Sequence, residues 1–315
     1  MAGQDLCKAA LKEISRVVVD NDELARGLLV GILSDGNILL EGLPGTGKTV
    51  LVKALADVSG CSFGRIQFTP DLLPTDLVGV TSYSPSKGFF AVKGPVFANF
   101  VFASGINRAP PKVQSALLEA MQERQVTIGK QTFPLPLPFF VMATQNPLES
   151  LGTYSLPDAQ IDRFLFKLDA KYQDKATEKK ILDNNSEYNP DVKLNAVLSP
   201  QKITGLQEDV KKVFMAPKVR DYIVRFVDAT RNPKHYGISG AKFVQWGASP
   251  RATISLFIAA KANAFLAGKK FASPQDVKAV AHPVLRHRVI LNYEGQAEGY
   301  TGDEFVDELL DKVPL

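Results

Sequence analysis

The stretch "GLPGTGKT", Gly42 to Thr49, follows the apolar run "NILLE" and leads straight into "VLVKALADV". It matches G-x-x-x-x-G-K-[ST], and the order strand, glycine-rich turn, helix leaves few folds open. Gly45 and Gly47 permit a tight turn whose backbone N–H groups approach phosphate oxygens, while the helix that follows points its positive end at them. The residues placed against a nucleotide are Gly42 and Pro44 at the entry, Gly45, Thr46 and Gly47 in the turn, and Lys48, Thr49 and Val50 at the helix start. Lys48 is expected to reach the β and γ phosphates, and Thr49 to give its hydroxyl to Mg²⁺.

Around this motif the first 170 residues alternate short apolar runs with helical patterns, which predicts an α/β domain with a parallel sheet covered on both faces. The runs are 37–42, 61–68, 99–104, 139–146 and 163–170, giving five buried strands. Between the second and third lies a segment of about 71–95, broken by prolines and glycines, in which "KGFFAVKGP" has the alternation of a hairpin arm. Beyond a boundary near Lys171 to Asp174 the pattern is helical only, so residues 171–315 are read as a second, all-helical domain.

Composition narrows the function. In 315 residues, 37 Lys and Arg against 33 Asp and Glu leave a net charge of +4, too slight and scattered to indicate a nucleic-acid or membrane surface. Cys7 and Cys61 lack zinc-site spacing and indicate no disulfide framework, and His235, His282 and His287 are dispersed. No apolar run approaches the roughly 18 residues of a membrane span, and the N-terminal stretch mixes charge with apolar residues, so the expected location is the cytoplasm.

Hydrolysis needs more than a phosphate cradle. Water on Mg²⁺ has to be held by acidic groups, and the attacking water needs a base or a positioning group, supplied in P-loop ATPases from the end of a neighbouring buried strand. The strand here is "FVFAS", and the positions that close it are Ser104 and Gly105. Neither is acidic. Of the nearest downstream acids, Glu119 and Glu123, Glu119 lies about 12–14 Å along the following helix at 1.5 Å per residue and faces another way from Val113, Leu117, Ala120 and Met121, so neither acid is expected to substitute. Asn107 can bond a water, but an amide does not take its proton.

With the loop placed, the remaining stretches resemble the MoxR family of AAA+ ATPases from about Val17 to Leu291. They are "LLEGLPGTGKT", "RIQFTPDLLPTDLVG", "KGPVFANFVFA", "INRAPPKVQSALLEAMQERQVTI", "ATQNPLESLGTYSLPDAQIDRFLF" and "GASPRA". The resemblance implies a five-stranded P-loop AAA+ domain with an insert in helix 2, followed by a helical lid. It implies that Asn146 is sensor 1, that Arg163 is an arginine finger acting on a neighbouring subunit's site, and that Arg251 is sensor 2. It implies ATP and ADP with Mg²⁺ as ligands, a homo-hexamer, a von Willebrand factor A domain partner and a protein client. The chain departs from the family where Asp-Glu usually precedes "INRAPP", at Ser104-Gly105, and where Gly-Gln usually follows the valines, at Asp20-Asn21.

Two expectations follow from the resemblance taken together with these departures. One is a ring-forming, chaperone-like ATPase whose hydrolysis is impaired by the missing carboxylates. The other is a non-catalytic scaffold that assembles when ATP binds. A P-loop kinase or GTPase is disfavoured, because no Asn-Lys-x-Asp guanine-reading motif is present and a lid with "GASPRA" fits a AAA+ module better.

Overall fold

The computed structural model describes residues 3–19, 21–86, 88–146, 152–184 and 192–315. From the start run α1 (Gly3–Ile14), α2 (Asp22–Leu33), β1 (Ile38–Gly42), α3 (Lys48–Ser59) and β2 (Phe63–Gln67). Next come α4 (Pro74–Val78), β3 (Gly79–Ser84), β4 (Gly88–Lys93), β5 (Phe100–Ser104), α5 (Pro111–Glu123), β6 (Gln125–Ile128), β7 (Gln131–Pro134) and β8 (Phe140–Gln145). Then follow α6 (Asp158–Ile161), β9 (Phe166–Ala170), α7 (Lys175–Asn184), α8 (Pro200–Lys212), β10 (Phe214–Met215) and α9 (Pro217–Arg231). The chain closes with β11 (Val244–Trp246), α10 (Pro250–Leu266), β12 (Phe271–Ala272), α11 (Pro274–Ala279), α12 (Ala281–Leu285), β13 (Ile290–Leu291), α13 (Tyr293–Ala297) and α14 (Gly302–Lys312).

The five strands expected from the sequence form one sheet in the order β2-β5-β8-β1-β9. The β2/β5, β5/β8 and β8/β1 pairs are parallel. In β5 Phe100, Val101, Phe102 and Ala103 are all buried, as a strand covered on both faces requires, which is why "FVFA" shows no polar alternation. Parallel pairing brings the C-terminal ends of β5, β8 and β1 side by side, and ligands bind in the crevice outside such ends.

The segment between β2 and β5 is the expected insert. After the short helix α4, β3 and β4 pair antiparallel with Val80 opposite Val92 and Tyr83 opposite Phe89. A second hairpin, β6–β7, follows α5 and was not legible as one in the sequence.

Two compact units emerge: Met1–Leu156 with Leu168–Gly205, and Pro157–Lys167 with Leu206–Leu315. They interleave, where the sequence reading places one cut after Ala170. Helix α7 belongs to the first unit and the turn carrying Arg163 to the second. Within the second unit the buried Arg288 guanidinium holds this turn by donating to the backbone carbonyls of Asp162, Phe164 and Leu165. The second unit is helical. Its extended pieces are the pairs β10/β12 and β11/β13, of two or three residues per strand. Among the described residues no helix is long and apolar enough to cross a membrane.

Candidate nucleotide site

β1 ends at Gly42 and α3 begins at Lys48, so the glycine-rich stretch is the turn between a buried strand and a helix. Gly45 and Gly47 have φ of +82° and +74°, and a Cβ on either would meet nothing within 4 Å. Glycine is needed there for backbone conformation, and the space above the turn is open. Gly47 is the N-cap of α3 and gives it no side-chain cap, so first-turn amides are left for an outside acceptor. That donor set fits a phosphate.

Lys48 Nζ folds back across the turn and donates to Leu43 O at 2.6 Å, Gly42 O at 2.9 Å and Thr46 Oγ1 at 3.0 Å. Thr46 Oγ1 in turn donates to Leu43 O at 3.0 Å. These acceptors are neutral, and burial pulls the Lys48 ammonium below the usual lysine value. A cation held by carbonyls gains a true counter-charge when a phosphate arrives. Pro44, Thr49 and Val50 are exposed. Thr49 sets a hydroxyl in the first turn of α3, a suitable donor for a Mg²⁺ that draws its other ligands from phosphate and water. Among the described residues no cluster of three or more His, Cys, Asp or Glu could hold a metal by itself.

Beside the turn lies a cavity of about 850 Å³, large enough for a nucleoside. Its apolar wall comes from Val17, Val18, Val50, Ala54, Tyr172 and Ile181, all in the first unit. Asn21 lines it too; Asp20, the other departure from the family pattern in that segment, lies outside the described residues.

Ser104 closes β5, opposite Gln67 of β2. Gly105 follows with φ +70° and ψ +49° and caps a 3₁₀ turn, Ile106–Arg108. Its amide donates to Thr144 Oγ1 on β8 at 2.9 Å. Asn146 comes directly after β8, and its neighbour Gln145 donates from Nε2 to Glu41 Oε1 on β1 at 2.7 Å. Ser104, Gly105, Asn146 and the phosphate turn are therefore gathered at the ends of adjacent strands. Glu119 and Glu123 are exposed on α5. Asn107 is buried, with an Oδ1 that has no hydrogen-bond partner.

Arg163 and Arg251 belong to the second unit. Arg163 follows Asp162, the C-cap of α6, and its Nε is buried without a hydrogen-bond partner. Arg251 sits in the first turn of α10, which Ser249 caps, and its guanidinium approaches Asp162 Oδ2 at 3.5 Å.

Residues 37–166 match the model of the ATPase family associated with various cellular activities (AAA), and residues 241–309 match the AAA lid domain. The chaperone MoxR1 of Mycobacterium tuberculosis is 46% identical over 308 residues, covering 97% of this chain and 81% of that protein. The chain belongs to the MoxR family of AAA+ ATPases. Protein MoxR of Paracoccus denitrificans is 33% identical, with 96% and 94% of the two chains covered. A crystal structure of a Cytophaga hutchinsonii protein assigned as an ATPase superposes with a TM-score of 0.94 at 44% identity, covering 99% of this chain and 95% of that one. Within this MoxR protein the AAA match holds the phosphate turn, Ser104, Asn146 and Arg163, while the lid match holds Arg251 and Arg288.

Sequence reasoning missed Asp162, Thr144, Tyr172 and Arg288. The first two lie within the stretch "ATQNPLESLGTYSLPDAQIDRFLF", beside Asn146 and Arg163, but nothing local in it points to their bonds with Gly105, Arg251 and Arg288. Arg288 lies in "LRHRV", where a run of basic residues reads as a solvated face.

Proposed function

We propose that this MoxR protein binds ATP and ADP with Mg²⁺ on the turn Gly42–Val50, assembles as a homo-hexameric ring, and turns nucleotide over very slowly. Its setting is the cytoplasm, where it acts on a protein client with a von Willebrand factor A domain partner. Arg163 serves a neighbouring subunit's site, Arg251 meets the phosphates, and Asn146 orients water. Thr49 would be the protein ligand of Mg²⁺, which when bound would supply neutralisation of phosphate charge.

The observation that carries the reading is the end of β5. A hydroxyl at Ser104 and a bare backbone at Gly105 stand where water activation calls for carboxylates. Ser104 can hold a water but cannot take its proton at neutral pH. Loss of a positioned base typically lowers a rate by about 10²–10⁴, while affinity, which rests on the turn and Lys48, suffers less.

The test measures size, bound nucleotide and phosphate release with and without ATP and Mg²⁺, alongside Lys48→Ala. Retained nucleotide, assembly and release at least about 10²-fold slower than in Ser104→Asp/Gly105→Glu are expected. Nucleotide binding that survives Lys48→Ala unchanged would sink the reading. The same vacant carboxylates favour a second reading, a scaffold gated by ATP binding alone. Assembly on ATP with no release, even after both carboxylates are restored, is its signature.

A further inference from the structure

One carboxylate in the second unit holds two guanidinium groups of unequal standing. Arg288, with a side chain 2% exposed, donates from Nε to Asp162 Oδ1 at 2.9 Å. Its other N–H groups go to the carbonyls of Asp162, Phe164, Leu165 and Val284 and to Ser255 Oγ. Every donor has an acceptor, so this arginine is fixed. Arg251 is different: its side chain is 49% exposed and stands 3.5 Å from Oδ2. Ser249 Oγ donates to the same oxygen at 2.8 Å and accepts the Arg251 amide at 3.2 Å.

Arg288 alone neutralises Asp162, which makes Arg251 a surplus cation on a loose, solvated contact. Such a contact contributes little and is released cheaply. An anion can draw Arg251 away without leaving either Asp162 or Arg288 unpaired, the step that would be costly in a buried pair. Meanwhile Arg288 keeps the carbonyls on both sides of Arg163 in place.

We infer that Asp162 is a positioning residue that keeps Arg251 in reserve and yields it to the phosphates of the bound nucleotide. The inference rests on the proposed role of Arg251. Resting on Asp162 therefore competes with nucleotide and lowers its affinity by a small factor.

A double-mutant cycle on the full chain reads it, with MgATP affinity as the measurement. Arg251→Gln alone is expected to weaken binding. Asp162→Asn is expected to tighten it about two- to fivefold, the range for releasing one exposed ion pair, and to change nothing in the Arg251→Gln background. No tightening, or equal tightening in both backgrounds, overturns the inference while leaving the role of Arg251 intact. If Arg251→Gln leaves affinity unchanged, that role itself fails and the inference falls with it. Because Asp162→Asn strips a buried cation of its counter-ion, a second measurement uses the unaltered protein. On titration with MgATP, the Arg251 Nε resonance and the Asp162 carboxyl carbon resonance are expected to shift together. Movement of the first without the second overturns the inference.

Discussion

The Gly105 amide donates to Thr144 Oγ1 at 2.9 Å, which ties the turn leaving β5 to the end of β8. Thr144 is 5% exposed, so its hydroxyl has no ready replacement from solvent. Thr144→Val is expected to cost about 1 kcal/mol through the unpaired N–H and to loosen the turn that places Ser104 beside the phosphates. Chemical denaturation checks the first effect. A weakened affinity for MgATP checks the second.

Restoring the two carboxylates will not be symmetrical. Ser104 ends a strand and accepts any side chain conformationally, whereas Gly105 has φ +70° and a Cβ there would lie 3.2 Å from Arg108 Cδ. Gly105→Glu alone is expected to lose about 1–2 kcal/mol, and Ser104→Asp alone much less. Melting curves of both single variants, read beside the phosphate release of the double variant, separate backbone strain from catalysis.

Arg288→Met removes a buried cation that satisfies four backbone carbonyls and Asp162. The expected loss is about 3–5 kcal/mol, concentrated in the second unit. Hydrogen exchange at residues 162–166 and across α10 and α12 follows it directly. Exchange unchanged at those amides would show that the clamp contributes nothing.

His282 should make the second unit sensitive to pH. Its Nδ1 lies 3.2 Å from Asp303 Oδ1 and its Nε2 3.0 Å from Asp307 Oδ1, while Arg286 also pairs with Asp303 at 2.9 Å. The bond to Asp303 raises the His282 pKa above its ordinary 6.5, against burial and the Arg286 charge, which lower it. With the folded value raised, the contribution to stability is complete below the unfolded value and is lost as pH climbs through the folded one. Buried His287, whose pKa burial lowers, acts in the opposite sense, so the His282 contribution is read as a difference: His282→Gln should lower the unfolding temperature of the second unit more at pH 6 than at pH 8.5. Calorimetry across this range checks the sign.

Much of the sheet was legible because burial on both faces leaves a plain mark, as in "FVFA" of β5 and "FVMAT" of β8. The phosphate turn was legible because its glycines answer a backbone demand at fixed spacing. What escaped was long-range and polar. Asp162 and Arg288 are 126 positions apart, and nothing local in either segment announces that they meet. The β6–β7 hairpin escaped because its strands are four residues each, with the prolines of "FPLPLP" at its close. The placing of residues 162–167 with the second unit is long-range in the same way: Arg288, His287, Arg286 and Ser249 all bond to that segment.

The β3–β4 ribbon leaves Phe89 78% and Tyr83 63% exposed, their rings 5.1 Å apart, and bears no carboxylate between Gly79 and Lys93. In the laboratory this is expected to make the isolated chain adhesive. Retention on phenyl resin and losses to plastic at low salt should track these two rings, and a preparation with both changed to serine should concentrate further before it clouds.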